Sequence, residues 1–174
     1  MRTRDLLELP YWDAQEFFDQ ASVPNRYQET SQFASQVPDN VIEELFRMWR
    51  SWPGTVPAAR WTVFRTGGQV NVRKPGDMAF VHRTSQWIIS TDIDWSDCDA
   101  QPAIEANLQW QRGVQDYLSS ALGNLGSYYN FPDPGLQNPA EAYWGSNLAR
   151  LISVKRQVDP NCVFNPPRNQ GIPC

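Results

Sequence analysis

Histidine is almost missing from this sequence, which holds only His82, and cysteine is scarce, with Cys98, Cys162 and Cys174 alone. No Cys-x-x-Cys occurs, so a zinc centre of the usual cysteine and histidine kind has no ligand set to draw on, and no metal is expected. A serine nucleophile would have only His82 as its base, and no Gly-x-Ser-x-Gly elbow accompanies it, which makes hydrolase chemistry a poor fit. The cysteines are too few and too scattered for a disulfide framework, and their odd number leaves at least one thiol unpaired within the chain. A basic excess is lacking too: 15 Lys and Arg stand against 19 Asp and Glu, a net charge of −4. With no basic stripe to neutralise a phosphate backbone, no nucleic-acid partner is expected. No apolar run is long enough to cross a bilayer, so no membrane partner is expected. The opening residues Met1 to Glu8 have no apolar stretch of the kind a secretory leader needs, which predicts an intracellular protein if Met1 is the natural start.

What is present is an ordinary globular balance. The 174 residues, 41% hydrophobic and 20% charged, suffice for one domain or a large part of one, with a real core. Eight tryptophans are many for this length, and most are expected to pack in or near the core.

Along the chain, residues 1–21 carry Leu6, Leu7, Leu9, Trp12, Phe17 and Phe18 but are interrupted by Pro10, which predicts a loop or short helical pieces. Asp39 is placed to cap a helix whose apolar positions Val41, Ile42, Leu45, Phe46 and Trp49 recur at helical spacing, with Trp52-Pro53-Gly54 as its stop. Short strands follow by pattern at Trp61 to Phe64, Gln69 to Arg73, Met78 to His82 and Gln86 to Ser90, with a turn at Lys74 to Asp77. A helix opens near Pro102, its stripe running through Ile104, Leu108, Tyr117, Leu118, Ala121 and Leu122, and Gly123 closes it. A last helix has Asn138 as cap, Pro139 at its first position and Glu141 three residues after the cap. Its predicted buried face is Tyr143, Trp144, Leu148, Leu151, Ile152 and Val154, and Asp159-Pro160 stops it. From Pro166 to Cys174 the composition reads as an extended C-terminal strap. The fold class predicted is α+β, an antiparallel sheet covered by helices.

Function enters through order and spacing of short motifs. Tyr128-Tyr129-Asn130-Phe131 is followed by Tyr143-Trp144-Gly145-Ser146-Asn147, then Arg150-Leu151, Val154-Lys155 and Asp159-Pro160 with Phe164. This series resembles the C-terminal signature of the berberine-bridge-enzyme-like family of FAD-linked oxidoreductases. Upstream, Gly67-Gly68 and Phe80-Val81-His82-Arg83 resemble that family's paired-glycine strand and its Phe-x-His-Arg strand. The resemblance implies a flavoprotein of which this chain holds part of the substrate domain (residues 1–126) and the C-terminal segment (residues 127–174). The flavin domain is absent, as are counterparts of the Arg-Gly-Gly-His and cysteine regions that attach FAD in many members. FAD is thus the cofactor the resemblance implies, held without a covalent bond to this chain. The implied partners are a small-molecule substrate and a flavin-domain polypeptide, in cis or in trans, or a second copy of the chain.

By the same resemblance Tyr128 stands where some relatives hold the base that takes a proton from the substrate hydroxyl. A free phenol, with a pKa of about 10, needs help for that work near neutrality. Asn130 resembles the Asn lying near the flavin ring. Plant alkaloid-oxidising members carry a catalytic Glu at the position of Val72, so that base is missing here. Val70 and Val72 are the candidate substrate-contacting residues if that side of the strand faces the ligand; otherwise Gln69, Asn71 and Arg73 do. His82 is expected to be a hydrogen-bonded structural residue. A second reading, of another class, is a non-redox natural-product binder or cyclase that kept the pocket without the flavin domain.

Overall fold

The computed structural model describes residues 10–13, 26–54, 58–164 and 171–174. Of the predicted pieces in residues 1–21 only 10–13 are among them, and residues 166–170 of the predicted strap also lie outside them. Three strands form one antiparallel sheet in the order β1-β3-β2: β1 (Arg26–Ala34), β2 (Ala58–Arg65) and β3 (Trp87–Trp95). Helix α1 (Asp39–Arg50) joins β1 to β2, and the long α2 (Gln101–Ala121) follows β3. The chain continues through the short α3 (Pro139–Trp144) and α4 (Leu148–Val158). The predicted α+β class is the one observed.

Side chains alternate across a strand, so register fixes which residues share a face. Thr91 sits opposite Thr30 and Trp61, and Ile89 opposite Gln32 and Val63, on the face that α1 and α2 cover. There Val41, Leu45, Ile89, Val114 and Leu118 form the larger core cluster, and Ile93 and Ile104 a smaller one. Burying each such aliphatic side chain contributes about 1.5–3 kcal/mol. Four tryptophans do pack at this core. Trp61 stacks on Trp110 with centroids 6.1 Å apart, and Trp49 lies 5.0 Å from Trp61 and 5.8 Å from Trp52.

The buried face of α2 differs from the apolar stripe expected. Asn107, Gln111 and Gln115, spaced four residues apart, are buried with Ile104, Val114 and Leu118. Gln111 donates to the carbonyls of Gln28 (2.8 Å) and Thr91 (2.6 Å), and Gln115 donates to that of Ser31 (3.1 Å). Amides can lie against a sheet in this way because the strand carbonyls satisfy them.

Two predicted strands are corrected. Residues 68–71 form a 3-10 turn: Gly68 takes a φ of +69°, Val72 N–H closes back on Gln69 O, and the Asn71 amide donates to Ser85 O at 2.7 Å. Residues 78–82 are irregular, because Asn147 Nδ2 takes up the carbonyls of Met78 (2.9 Å) and Ala79 (3.3 Å). The single predicted C-terminal helix is also broken, at Gly145–Asn147, where Gly145 adopts a φ of +45°. Neither helix has a side-chain capping hydrogen bond; Asp39 is the first helical residue after Pro38, while Asn138 does hold the cap position. Only Tyr143 of the predicted last face is buried; Val154 is exposed, and Leu148, Leu151 and Ile152 are half-buried. Finally, Cys162 and Cys174 are joined in a disulfide, which leaves Cys98 as the free, exposed thiol among the described residues.

Candidate functional site on the helix-free face of the sheet

The opposite face of the sheet carries three successive rungs. Phe33, Ile88 and Phe64 form the first, Ser31, Ser90 and Thr62 the second, and Glu29, Asp92 and Arg60 the third. The loop 126–136 runs along β1 and folds onto the first two. Phe33 N–H donates to Gly126 O (3.1 Å), Ser31 and Ser127 hydroxyls meet at 2.8 Å, and Tyr128 N–H donates to Ser31 Oγ (2.9 Å). These bonds set where the Tyr128 ring begins.

Aromatic rings then fix its direction. Phe131 lies edge-on to Tyr128 at 5.1 Å, and Phe33 and Phe80 each at 6.1 Å. The phenol is half-buried, and its oxygen accepts a hydrogen bond from Asn130 Nδ2 at 3.0 Å. The two residues singled out by sequence as base and flavin neighbour are thus in direct contact, and Asn130 itself is exposed.

Behind this pair, the far end of the loop is braced on α2. Asp133, fully buried, receives both terminal nitrogens of the Arg112 guanidinium and the Gly135 N–H (2.8 Å). Its own N–H donates to Tyr143 Oη at 3.0 Å. Arg112→Ala leaves that carboxylate buried and unpaired, at an expected cost of about 3 kcal/mol, the lower end for a broken buried pair because Arg112 is partly exposed. The check is the urea midpoint of the variant against the parent chain.

His82 is a structural member of this assembly. Its ring stacks on Phe33 at 4.0 Å, and its Nε2 lies 3.2 Å from Tyr143 O. Burial pulls its pKa below the ordinary 6.5, against backbone hydrogen bonds that push the other way, so the ring is neutral at pH 7.

Val70 and Val72 stand on the 3-10 turn and its end, not on a strand, and both are exposed. Their link to the site runs through Arg83, which donates to Val70 O (2.9 Å) and lies 4.7 Å over the Phe80 ring.

The third rung was not picked out in the sequence. Ser90 Oγ lies 2.9 Å from Glu29 Oε1 and 2.8 Å from Asp92 Oδ1, and Arg60 Nε donates to Asp92 Oδ2 at 3.1 Å. Burial raises the Glu29 carboxyl from its ordinary 4.5 to about 7; the Ser90 hydroxyl opposes the shift, and Asp92 adds to it. Two rungs along a strand are about 7 Å apart, so Glu29 and Asp92 sit next to the serine that anchors Tyr128. One signal was available. In β3, Ser90, Asp92 and Asp94 alternate with Ile89, Thr91, Ile93 and Trp95.

The arrangement is a phenol, an amide and a carboxyl pair on one face, with an aromatic floor. No group of His, Cys, Asp and Glu among the described residues is arranged to hold a metal, and no helix among them is long and apolar enough to cross a membrane.

Residues 127–173 match the model of the family described as berberine and berberine-like. Among curated relatives, the chitooligosaccharide oxidase of Gibberella zeae is 35% identical over 111 residues, covering 60% of this chain and 22% of that protein. An uncharacterized FAD-linked oxidoreductase of Bacillus subtilis is 27% identical over 97% of this chain and 37% of its own length. Among solved structures, a chitooligosaccharide oxidase superposes with a TM-score of 0.68 at 27% identity, over 86% of this chain and 33% of its own.

 The Arabidopsis thaliana BBE-like protein 28 superposes with a TM-score of 0.76 over 91% of this chain and 36% of its own, at 20% identity, a likeness of fold. The chain therefore spans between about a fifth and two fifths of the length of these relatives.

Proposed function

This chain is a partial member of the berberine and berberine-like family of FAD-linked oxidoreductases, and from that premise we propose that its helix-free sheet face is one wall of the family's reaction chamber. The observation that carries this reading is the contact between Tyr128 and Asn130 at the open edge of that face.

In the proposed reaction a substrate carbon bearing a hydroxyl gives up a hydride while the hydroxyl gives up its proton. Tyr128, as its phenolate, is the proton acceptor, and the Asn130 amide, bonded to its oxygen, aims that oxygen and supplies a donor to the phenolate before the proton arrives. When bound, FAD would supply the hydride acceptor, with O2 as the terminal oxidant that leaves as hydrogen peroxide. The exposed Asn130 fits one edge of such a ring: its Nδ2 is committed to Tyr128, and its carbonyl makes no hydrogen bond among those described. Phe131, edge-on to the phenol at 5.1 Å and 5.5 Å from the Phe64 ring, gives one side of the phenol an apolar floor. Val70 and Val72 would form an apolar rim beyond Arg83. Residues 1–126 would belong to the substrate domain and 127–174 to the returning C-terminal segment, with the flavin domain supplied in cis or in trans.

The test is direct. The purified chain alone is expected to be colourless. Combined with a flavin-bearing portion of a family member, it is expected to support substrate-dependent peroxide release that Tyr128→Phe removes. Equal peroxide release from the Tyr128→Phe variant would refute the assignment.

A further inference from the structure

We propose that the cleft between the second half of α2 and the start of α3 is a binding site for a small organic ammonium ion, separate from the Tyr128 face. Its cavity of about 440 Å³ falls within the range of about 300–1,000 Å³ usual for small-molecule sites. Gln32 places the cavity on the helix-covered side of the sheet, because side chains alternate along β1 and Ser31 and Phe33 face the other way.

Buried polar residues, Gln32, Gln115 and Ser127, form the floor of the cleft. The Gln32 amide donates to Phe33 O (3.1 Å) and accepts from Gln115 Nε2 (3.4 Å), and the Ser127 hydroxyl meets that of Ser31. Gln115 Nε2 also donates to Ser31 O (3.1 Å). Turning that amide over would set its oxygen against two acceptors, so its orientation is fixed. The Oε1 that results is buried and has no hydrogen-bond partner among the described residues, in a side chain whose residue is only 3% exposed. It is the one side-chain atom of the floor still owed a hydrogen bond. An acceptor left dry in this way is costly, and a donor entering the cleft relieves it.

The walls decide which donor is suited. Asp116 on α2 and Glu141 on α3 each present a carboxylate to the cleft. Arg112 is the cation of the lining, and both of its terminal nitrogens are held by Asp133. One guanidinium among three carboxylates leaves the cleft negative, which disfavours an anion. The last turn of α2, at Ser119, adds the partial negative charge of a helix C-terminus. The start of α3 offers little to offset it: Pro139 has no N–H, and Glu141 already answers that end of the helix. A metal ion lacks its ligands, since no group of His, Cys, Asp and Glu among the described residues is arranged to hold one. An ammonium group meets both needs at once, with an N–H for Gln115 Oε1 and a positive charge for Asp116 and Glu141. Leu125 and Leu136 give its carbon frame apolar contact.

The test uses the chain itself at pH 7 and fixed ionic strength, with benzylammonium as the probe and benzyl alcohol and benzoate as its neutral and anionic counterparts. Benzylammonium is expected to bind one to one by calorimetry. It is also expected to shift the side-chain 13Cδ resonance of Gln115 and the backbone amides of Gly126 and Gly135, which border the cleft. Benzyl alcohol is expected to bind at least about tenfold more weakly, and benzoate to leave these resonances in place. The paired variant Asp116→Asn with Glu141→Gln alters two exposed side chains, so its fold is expected to hold; its affinity for benzylammonium should fall about tenfold. A Gln115 resonance that no probe moves would show that water alone serves Oε1, and would overturn the site. Equal responses to the alcohol and the ammonium ion, or an affinity unchanged in the paired variant, would overturn the ligand class. Peroxide release is no part of this readout, so the Tyr128 reading stands or falls separately.

Discussion

Tyr128→Phe is expected to lower substrate-dependent peroxide release by about 10²–10⁴-fold in the flavin-completed protein, the usual range for loss of a positioned proton acceptor. The substitution removes one oxygen and keeps the ring. Its edge contacts with Phe33, Phe80 and Phe131 do not depend on the hydroxyl, and the backbone bond to Ser31 is unchanged. Folding stability should therefore stay close to that of the parent, which separates a chemical loss from a structural one. Among the described residues the partner set free is the Asn130 amide, which is exposed and turns to water. The measurement is peroxide release at saturating substrate beside the urea midpoint of each variant. A loss of rate matched by a loss of stability would count against a chemical role.

The second large effect is expected on the fold. Gly126 sits at a φ of +97°, a backbone conformation that disfavours any side chain. A Cβ there would come within 2.4 Å of Ala142 O and 2.5 Å of His82 Cε1. Neither neighbour has room to retreat, because the His82 ring is stacked on Phe33 and the Ala142 carbonyl already accepts Ser127 N–H at 3.0 Å. Gly126→Ala is therefore expected to destabilise the chain by roughly 3–5 kcal/mol, backbone strain and overpacking acting together. Gly113→Ala is the control: it lies in α2 with nothing within 4 Å of the added carbon, and alanine should stabilise by about 0.5–1 kcal/mol through helix propensity. Urea midpoints of the two variants should move in opposite directions. A Gly126 variant as stable as the parent would show that the loop carrying Tyr128 is held less closely than its contacts indicate.

How far the sequence could be read depended on whether local patterning or tertiary partners decided each segment. Helix α1 was legible because Val41 and Leu45 recur at helical spacing and both are buried. Strand β1 was not, since Tyr27, Glu29, Ser31 and Phe33 on one face and Gln28, Thr30, Gln32 and Ala34 on the other show no contrast of polarity. Its burial rests on partners distant in sequence: Gln111 and Gln115 above, Ser90, Asp92 and the Tyr128 loop below. The segments 69–73 and 78–82 alternate like strands, yet side-chain amides of Asn71 and Asn147 decide their paths. The same limit applied to the site. Tyr128 and Asn130 were found by motif and are in contact, whereas Glu29, Arg60 and Asp92 come from three strands and no single stretch of sequence joins them.

The two buried glutamines of α2, Gln111 and Gln115, have a consequence for how that helix docks. A face made only of leucine and valine can slide along a sheet by one turn, about 5.4 Å, and bury nearly the same area. Amide hydrogens aimed at the carbonyls of Gln28, Thr91 and Ser31 allow no such sliding, because each displaced position would strand a donor in a dry interface. The stripe behaves like the teeth of a rack, holding the long helix in a single longitudinal phase, and Arg112 on its flank is thereby kept level with Asp133.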